Sequence, residues 1–148
     1  MLQELSKRVG EEIGVTEWFE IDQARINAFA DATNDHQWIH VDVERAKAES
    51  PFGGPIAHGF LTLSLLPMWL YSLDYLAPGC KATVNYGLNK LRFVNPVKVG
   101  ARVRNRVTLL EVSERSAGRW QIIMQHTVEI EGEDKPALVA EGITLADY

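Results

Sequence analysis

Asp35 and His40, followed by the pair His58-Gly59, are the residues whose types and spacing could do acid/base chemistry in this sequence. A carboxylate and a neutral imidazole can hold one water between them, each accepting one of its protons. The ordinary histidine pKa near 6.5 lets His40 be neutral at working pH and exchange a proton during a reaction. Neither group needs to act as a nucleophile. On one ideal helix, five residues correspond to about 500° of rotation, so the two side chains would point apart. They converge only if a loop intervenes, and Thr33-Asn34-Asp35 is where a preceding helix should fail.

Gly59 is expected to open an apolar helix. There its backbone N–H is unpaired and no side chain blocks approach, so it is the candidate oxyanion donor. His58 can polarise a substrate or, more simply, fix the turn into that helix through backbone hydrogen bonds. His36 and His40 sit four apart, as in helical zinc pairs, but Gln37, Trp38 and Ile39 between them supply no glutamate base, so no metal site is expected. His126 falls on an apolar strand face and reads as a satisfied core histidine. Trp38 and Trp69 read as core aromatics.

Several elements must position these groups. Asp22 caps a predicted helix carrying Ile26, Phe29, Ala30 and Thr33 at helical spacing, after a short β-like run over Thr16 to Ile21. Asp42 caps a second, short helix through Ala48, and Ser50 to Pro55 is a loop. From Gly59 to Leu73 apolar residues face nearly every direction, so that helix must be surrounded, with a kink or break at Pro67. After Ala77-Pro78-Gly79 the period becomes two. Strands are expected over Lys81 to Tyr86, Leu91 to Val94, Ala101 to Leu109, Ile122 to Ile130 and Leu138 to Leu145, with turns near Gly118 and Gly132. The sum is α+β: an antiparallel sheet wrapped around one long central helix.

The totals bound the setting. The 148 residues suit one domain, and a net charge of −5 argues against broad binding of nucleic acid. The apolar stretch before Leu73 is too short to span a bilayer and holds a proline, so no membrane association is expected. Cys80 is the only cysteine, which excludes an internal disulfide, and the opening residues lack a signal-peptide pattern; a cytoplasmic protein fits.

The wording Asp35-His36-Gln37-Trp38-Ile39-His40, the His58-Gly59 pair, Tyr86 to Lys90 and Arg92 to Val97 resemble the MaoC-like (R)-specific enoyl-CoA hydratases and dehydratases, closest to the nodulation-protein-N-like branch. Many relatives have Asn-Pro in place of Gln37-Trp38, and some have a serine supporting the catalytic histidine where Pro67 stands here. The group that orients His40 is therefore left open, with Ser64 nearby in sequence. The resemblance implies a single hot-dog domain over residues 1–148 and reversible hydration of a trans-2-enoyl-CoA to the (R)-3-hydroxyacyl-CoA. Asp35, His40 and Gly59 would be catalytic, and coenzyme A would enter as part of the substrate rather than as a cofactor. Lys90 and Arg92, with Arg102, Arg104 and Arg106, are basic groups able to hold coenzyme A phosphates, although a solvated strand face explains the last three more simply. Hot-dog relatives pair sheet edges, so a homodimer is expected. A hot-dog thioesterase is the nearest alternative, but the Gly59 to Leu73 segment has no carboxylate. A non-catalytic acyl-CoA-binding module is the other.

Overall fold

The computed structural model describes residues 2–148. The chain orders as α1 (Gln3–Ser6), β1 (Glu12–Val15), β2 (Phe19–Glu20), α2 (Gln23–Thr33), α3 (Trp38–Val41), α4 (Val43–Glu49), α5 (Gly59–Ser64), α6 (Leu66–Tyr71), β3 (Ala82–Phe93), β4 (Arg102–Ser116), β5 (Arg119–Ile130) and β6 (Leu138–Asp147). The strands form one six-stranded antiparallel sheet in the order β1-β4-β5-β6-β3, with β2 also paired to β4.

Alternation builds the inner face of this sheet. Val103, Val107 and Leu109 of β4 are buried, as are Ile122, Met124, Val128 and Ile130 of β5. Val103, Val128 and Ile130 pack with Leu61, Leu65, Leu66 and Trp69 of the central helical segment, whereas Val107, Leu109, Ile122 and Met124 pack with Leu70 of α6 and with Leu2 and Leu5. Each buried leucine contributes about 1.5–3 kcal/mol relative to exposure. Tight turns fall at Gly118 and Gly132, both with positive φ.

Four details differ from the sequence reading. The central helix divides at Leu65 into α5 and α6, with Pro67 in the first turn of α6, where its missing N–H costs least. The break expected at Pro67 therefore falls just before it. The helix is also not surrounded: Phe60, Met68 and Tyr71 are exposed. The two short strands expected between Lys81 and Val94 are one continuous β3, bridged through Gly87 with register irregularities either side of it. Finally, Thr16 to Ile21 contributes only β2, while β1 forms earlier, over a stretch containing Gly14.

Candidate active site

Asp35 sits where α2 stops. Asp22 starts that helix, its carboxylate accepting from the Arg25 amide at 2.8 Å, a cap worth about 1 kcal/mol. Asn34 ends it in the left-handed region, at φ 57° and ψ 26°, a conformation asparagine tolerates. The chain then leaves the helix axis, and Asp35 is carried in the non-helical segment before α3 with its side chain about half exposed. The break needed for Asp35 and His40 to converge is thus a left-handed helix cap.

His40 lies in the single turn of α3 and is buried. Two contacts fix that turn: the Gln23 side-chain amide donates to the His40 carbonyl at 2.8 Å, and the Ile56 N–H donates to the Ile39 carbonyl at 3.1 Å. The Ile56 carbonyl in turn accepts from His40 Nδ1 at 2.6 Å. Because a carbonyl can only accept, Nδ1 carries the proton and Nε2 of the neutral ring is left as an acceptor. The orienting group is therefore a backbone carbonyl. Ser64 has no part in it, since its hydroxyl donates to the Phe60 carbonyl at 2.7 Å. Ile56 is itself pinned, flanked by Ala57 N–H donating to Val97 and Val99 N–H donating to Pro55.

His58 is buried between the two. Its Nε2 donates to the Asp35 backbone carbonyl at 3.0 Å, and its ring stacks on that of His40 with centroids 3.9 Å apart. Phe29 closes the other side at 4.9 Å. Burial lowers the His40 pKa below its ordinary value, and the neighbouring His58 lowers it further; the Ile56 carbonyl and Asp35 pull the other way without reversing the shift. His40 is thus kept neutral at neutral pH.

A carboxylate oxygen of Asp35 and one ring nitrogen from each of His40 and His58 lie within 4.8 Å of one another. Each ring has one nitrogen bonded to a backbone carbonyl and one left over, so the set has room for a small ligand, a water or a metal ion alike. One water making two hydrogen bonds of about 2.8 Å spans such a gap. His36, the other half of the rejected zinc pair, is elsewhere, exposed and bonded to Asp31 at 2.8 Å.

Asp35, His40, His58 and Gly59 line one cleft of about 410 Å³, walled by Phe52, Phe60, Phe93 and Pro96. Gly59 is the first residue of α5; the amides of Leu61 and Thr62 donate to the His58 carbonyl, while that of Gly59 has no partner among the described residues. The Phe93 ring lies against the face where a side chain would project, and a Cβ there would meet it at 3.0 Å. Thr62, missed in the sequence, also reaches the cleft, its buried hydroxyl without a partner. A threonine at helical spacing within an apolar helix gives no signal of this.

The expected phosphate-binding groups stand apart from these residues. Lys90 and Arg92 lie on exposed β3 outside the cleft lining, Lys90 paired with Glu141 at 3.4 Å and Arg92 donating to the Leu91 carbonyl. Arg102, Arg104 and Arg106 are neutralised by Glu131, Glu129 and Glu12, which favours the solvated strand face. Trp69 is buried as expected, whereas Trp38 is half-buried under the Arg45 guanidinium.

Known proteins resemble the chain in sequence and in fold. Residues 4–132 match the family model described as a MaoC like domain. The chain is 51% identical over 140 residues to 3-hydroxyacyl-thioester dehydratase Z of Mycobacterium tuberculosis, covering 95% of this chain and 91% of the relative. It is 49% identical over 147 residues to nodulation protein N of Rhizobium leguminosarum bv. viciae, covering 99% and 91%. Among solved structures, an (R)-hydratase from A. caviae involved in PHA biosynthesis superimposes with a TM-score of 0.73 at 26% identity, covering 92% of this chain and 94% of that one. The fold is the hot-dog fold of these dehydratases. The chain belongs to the MaoC-like dehydratase family.

Proposed function

We propose that this hydratase/dehydratase adds water reversibly to a trans-2-enoyl-CoA to give the (R)-3-hydroxyacyl-CoA, with Asp35 and His40 acting on one water. The observation that carries this reading is the His40 hydrogen bond to the Ile56 carbonyl, which leaves Nε2 unprotonated in a ring with one nitrogen within 4.8 Å of an Asp35 carboxylate oxygen. Family membership and the dehydratase and hydratase relatives support the reaction class.

In the hydration direction, His40 Nε2 takes one proton from the water as its oxygen bonds to C3, while Asp35 holds the other O–H. The electron pair of the double bond moves onto the thioester oxygen, where the Gly59 N–H stabilises it. The proton on His40 then passes to C2 as the carbonyl reforms. No cofactor is called on, coenzyme A being part of the substrate. His58 acts through Asp35, holding its backbone, rather than by gripping substrate. General acid/base groups typically contribute about 10² to 10⁴ and an oxyanion donor about 10² to 10³ in rate.

The exposed β3 edge, with Val84, Tyr86 and Leu88, and the uncovered Phe60 and Met68 support a homodimer paired through β3, placing Lys90 and Arg92 near a subunit boundary. No described helix is long and apolar enough to cross a membrane. A cytoplasmic setting, consistent with the lone Cys80, completes the proposal. The test is turnover of crotonyl-CoA and longer trans-2-enoyl-CoAs with chiral analysis of the product. The (R)-3-hydroxy isomer is expected; thiol release without hydration would instead establish the thioesterase reading.

A further inference from the structure

A second cleft, of about 390 Å³, lies further along the same helix, between Leu66, Pro67 and Leu70 on one side and Tyr86 and Leu88 of β3 on the other. Its wall is largely apolar, yet His126 reaches it from β5. That ring is 2% exposed, and the Asn105 amide nitrogen stands 3.0 Å from its Nδ1, placed to donate, while the buried Asn105 Oδ1 has no partner among the described residues. An accepting Nδ1 puts the proton of the neutral ring on Nε2. Nε2 lies over Gly142, 3.1 Å from where a Cβ would stand, so the ring depends on that missing side chain to lean into the cleft. No group among the described residues accepts from Nε2–H. The molecule therefore holds a buried, oriented donor facing an apolar cavity, an arrangement that penalises any occupant unable to accept.

The two clefts follow one another along the groove. Gly59 and Phe93 mark the first; the second is lined from Leu63 to Leu70, four to eleven residues further along α5 and α6, which at about 1.5 Å per residue is roughly 6–17 Å, centred near 10 Å. The sheet gives a similar span. Phe93 pairs with Leu138 and Leu138 with Val128, so His126 lies two residues beyond that level and leans toward Gly142, four beyond Leu138: about 7–13 Å. An extended chain advances about 1.2 Å per bond, taking the backbone's ~3.6 Å per three bonds, so roughly eight bonds separate the clefts.

We infer that the preferred acyl chain carries a hydrogen-bond-accepting oxygen near C9, which His126 Nε2–H binds in this second cleft. The inference rests on the enoyl-thioester reading of the first cleft. Its test compares kcat/KM for trans-2-decenoyl-CoA and 9-oxo-trans-2-decenoyl-CoA, with crotonyl-CoA measured alongside. Wild type should favour the oxo substrate by about tenfold or more. His126→Phe should bring the ratio near one, and Gly142→Ala, which crowds the ring, should also reduce it. Hydration of crotonyl-CoA with a wild-type ratio at or below one overturns the inference and leaves the hydratase reading standing. A high ratio unchanged in folded His126→Phe removes His126 from it. Turnover of none of the three substrates overturns the hydratase reading, and the inference with it.

Discussion

His40 and His58 stack with ring centroids 3.9 Å apart, and each is tied to the backbone of a different segment, His40 to Ile56 and His58 to Asp35. One short unit thus fixes both halves of the acid/base pair. His58→Ala is expected to lower kcat by roughly 10- to 100-fold, within the range of general acid/base losses, although His58 is not itself the base. Its removal also admits water beside His40 and takes away a neighbour that lowers its pKa, so the His40 pKa should rise. The acid limb of the kcat/KM profile should then move up toward pH 6.5; a kcat loss with an unmoved limb would count against the coupling.

In the wild type that limb should lie below 6.5. Hydration needs unprotonated Nε2, and burial lowers the His40 pKa, so activity persists into mildly acidic solution and falls only as pH passes the lowered value. A limb at or above 6.5 in the kcat/KM profile would contradict the burial argument.

Gly59 has a covered face. Gly59→Ala retains the N–H but drives a methyl against Phe93 at 3.0 Å, so it should impair turnover by crowding. The oxyanion role is isolated in a Phe93→Ala background, where Gly59→Ala keeps the donor and Gly59→Pro removes it. The proline variant should be slower by about 10² or more, with smaller change in the Kd of a saturated acyl-CoA. Equal kcat in the two folded variants would place the donor elsewhere.

His126 links the second cleft to stability. Burial lowers its pKa to about 4, against 6.5 in the unfolded chain. Between those values the unfolded state binds the extra proton, so stability falls as pH drops from 6.5 to 4, by about 3 kcal/mol over the full window. Urea midpoints across this range should decline more steeply in wild type than in His126→Gln; parallel declines would mean that folding does not lower the His126 pKa.

The homodimer is checked by sedimentation. Val84 is 48% exposed on the β3 edge, and Val84→Asp should shift wild-type dimer toward monomer. A wild-type monomer at working concentration with full activity would refute the assembly.

Local signals were legible in the sequence. Asp22 and Asp42 as caps, the failure of α2 at Asn34, and Gly59 at a helix start each depend on a few adjacent residues. What was not legible depends on tertiary contact. The Ile56 carbonyl that orients His40 is a backbone atom placed by pairing with residues near Val97, and any residue type supplies a carbonyl. Phe93 over Gly59 follows from the register of β3. Asn105 interrupts the apolar alternation of β4, and only its pairing with His126 accounts for a buried amide there. β1 escaped because its four residues include a glycine and pair with an irregular register.

The central claim is that Asp35 and His40 act together on one water. Steady-state hydration of crotonyl-CoA by Asp35→Asn, His40→Ala and the double variant, each confirmed folded by circular dichroism, tests it most directly. Each single variant should lose at least about 10² in kcat/KM, and the double little more than the worse single, because either loss already disables the shared water. A folded double variant retaining near-normal turnover would contradict the account.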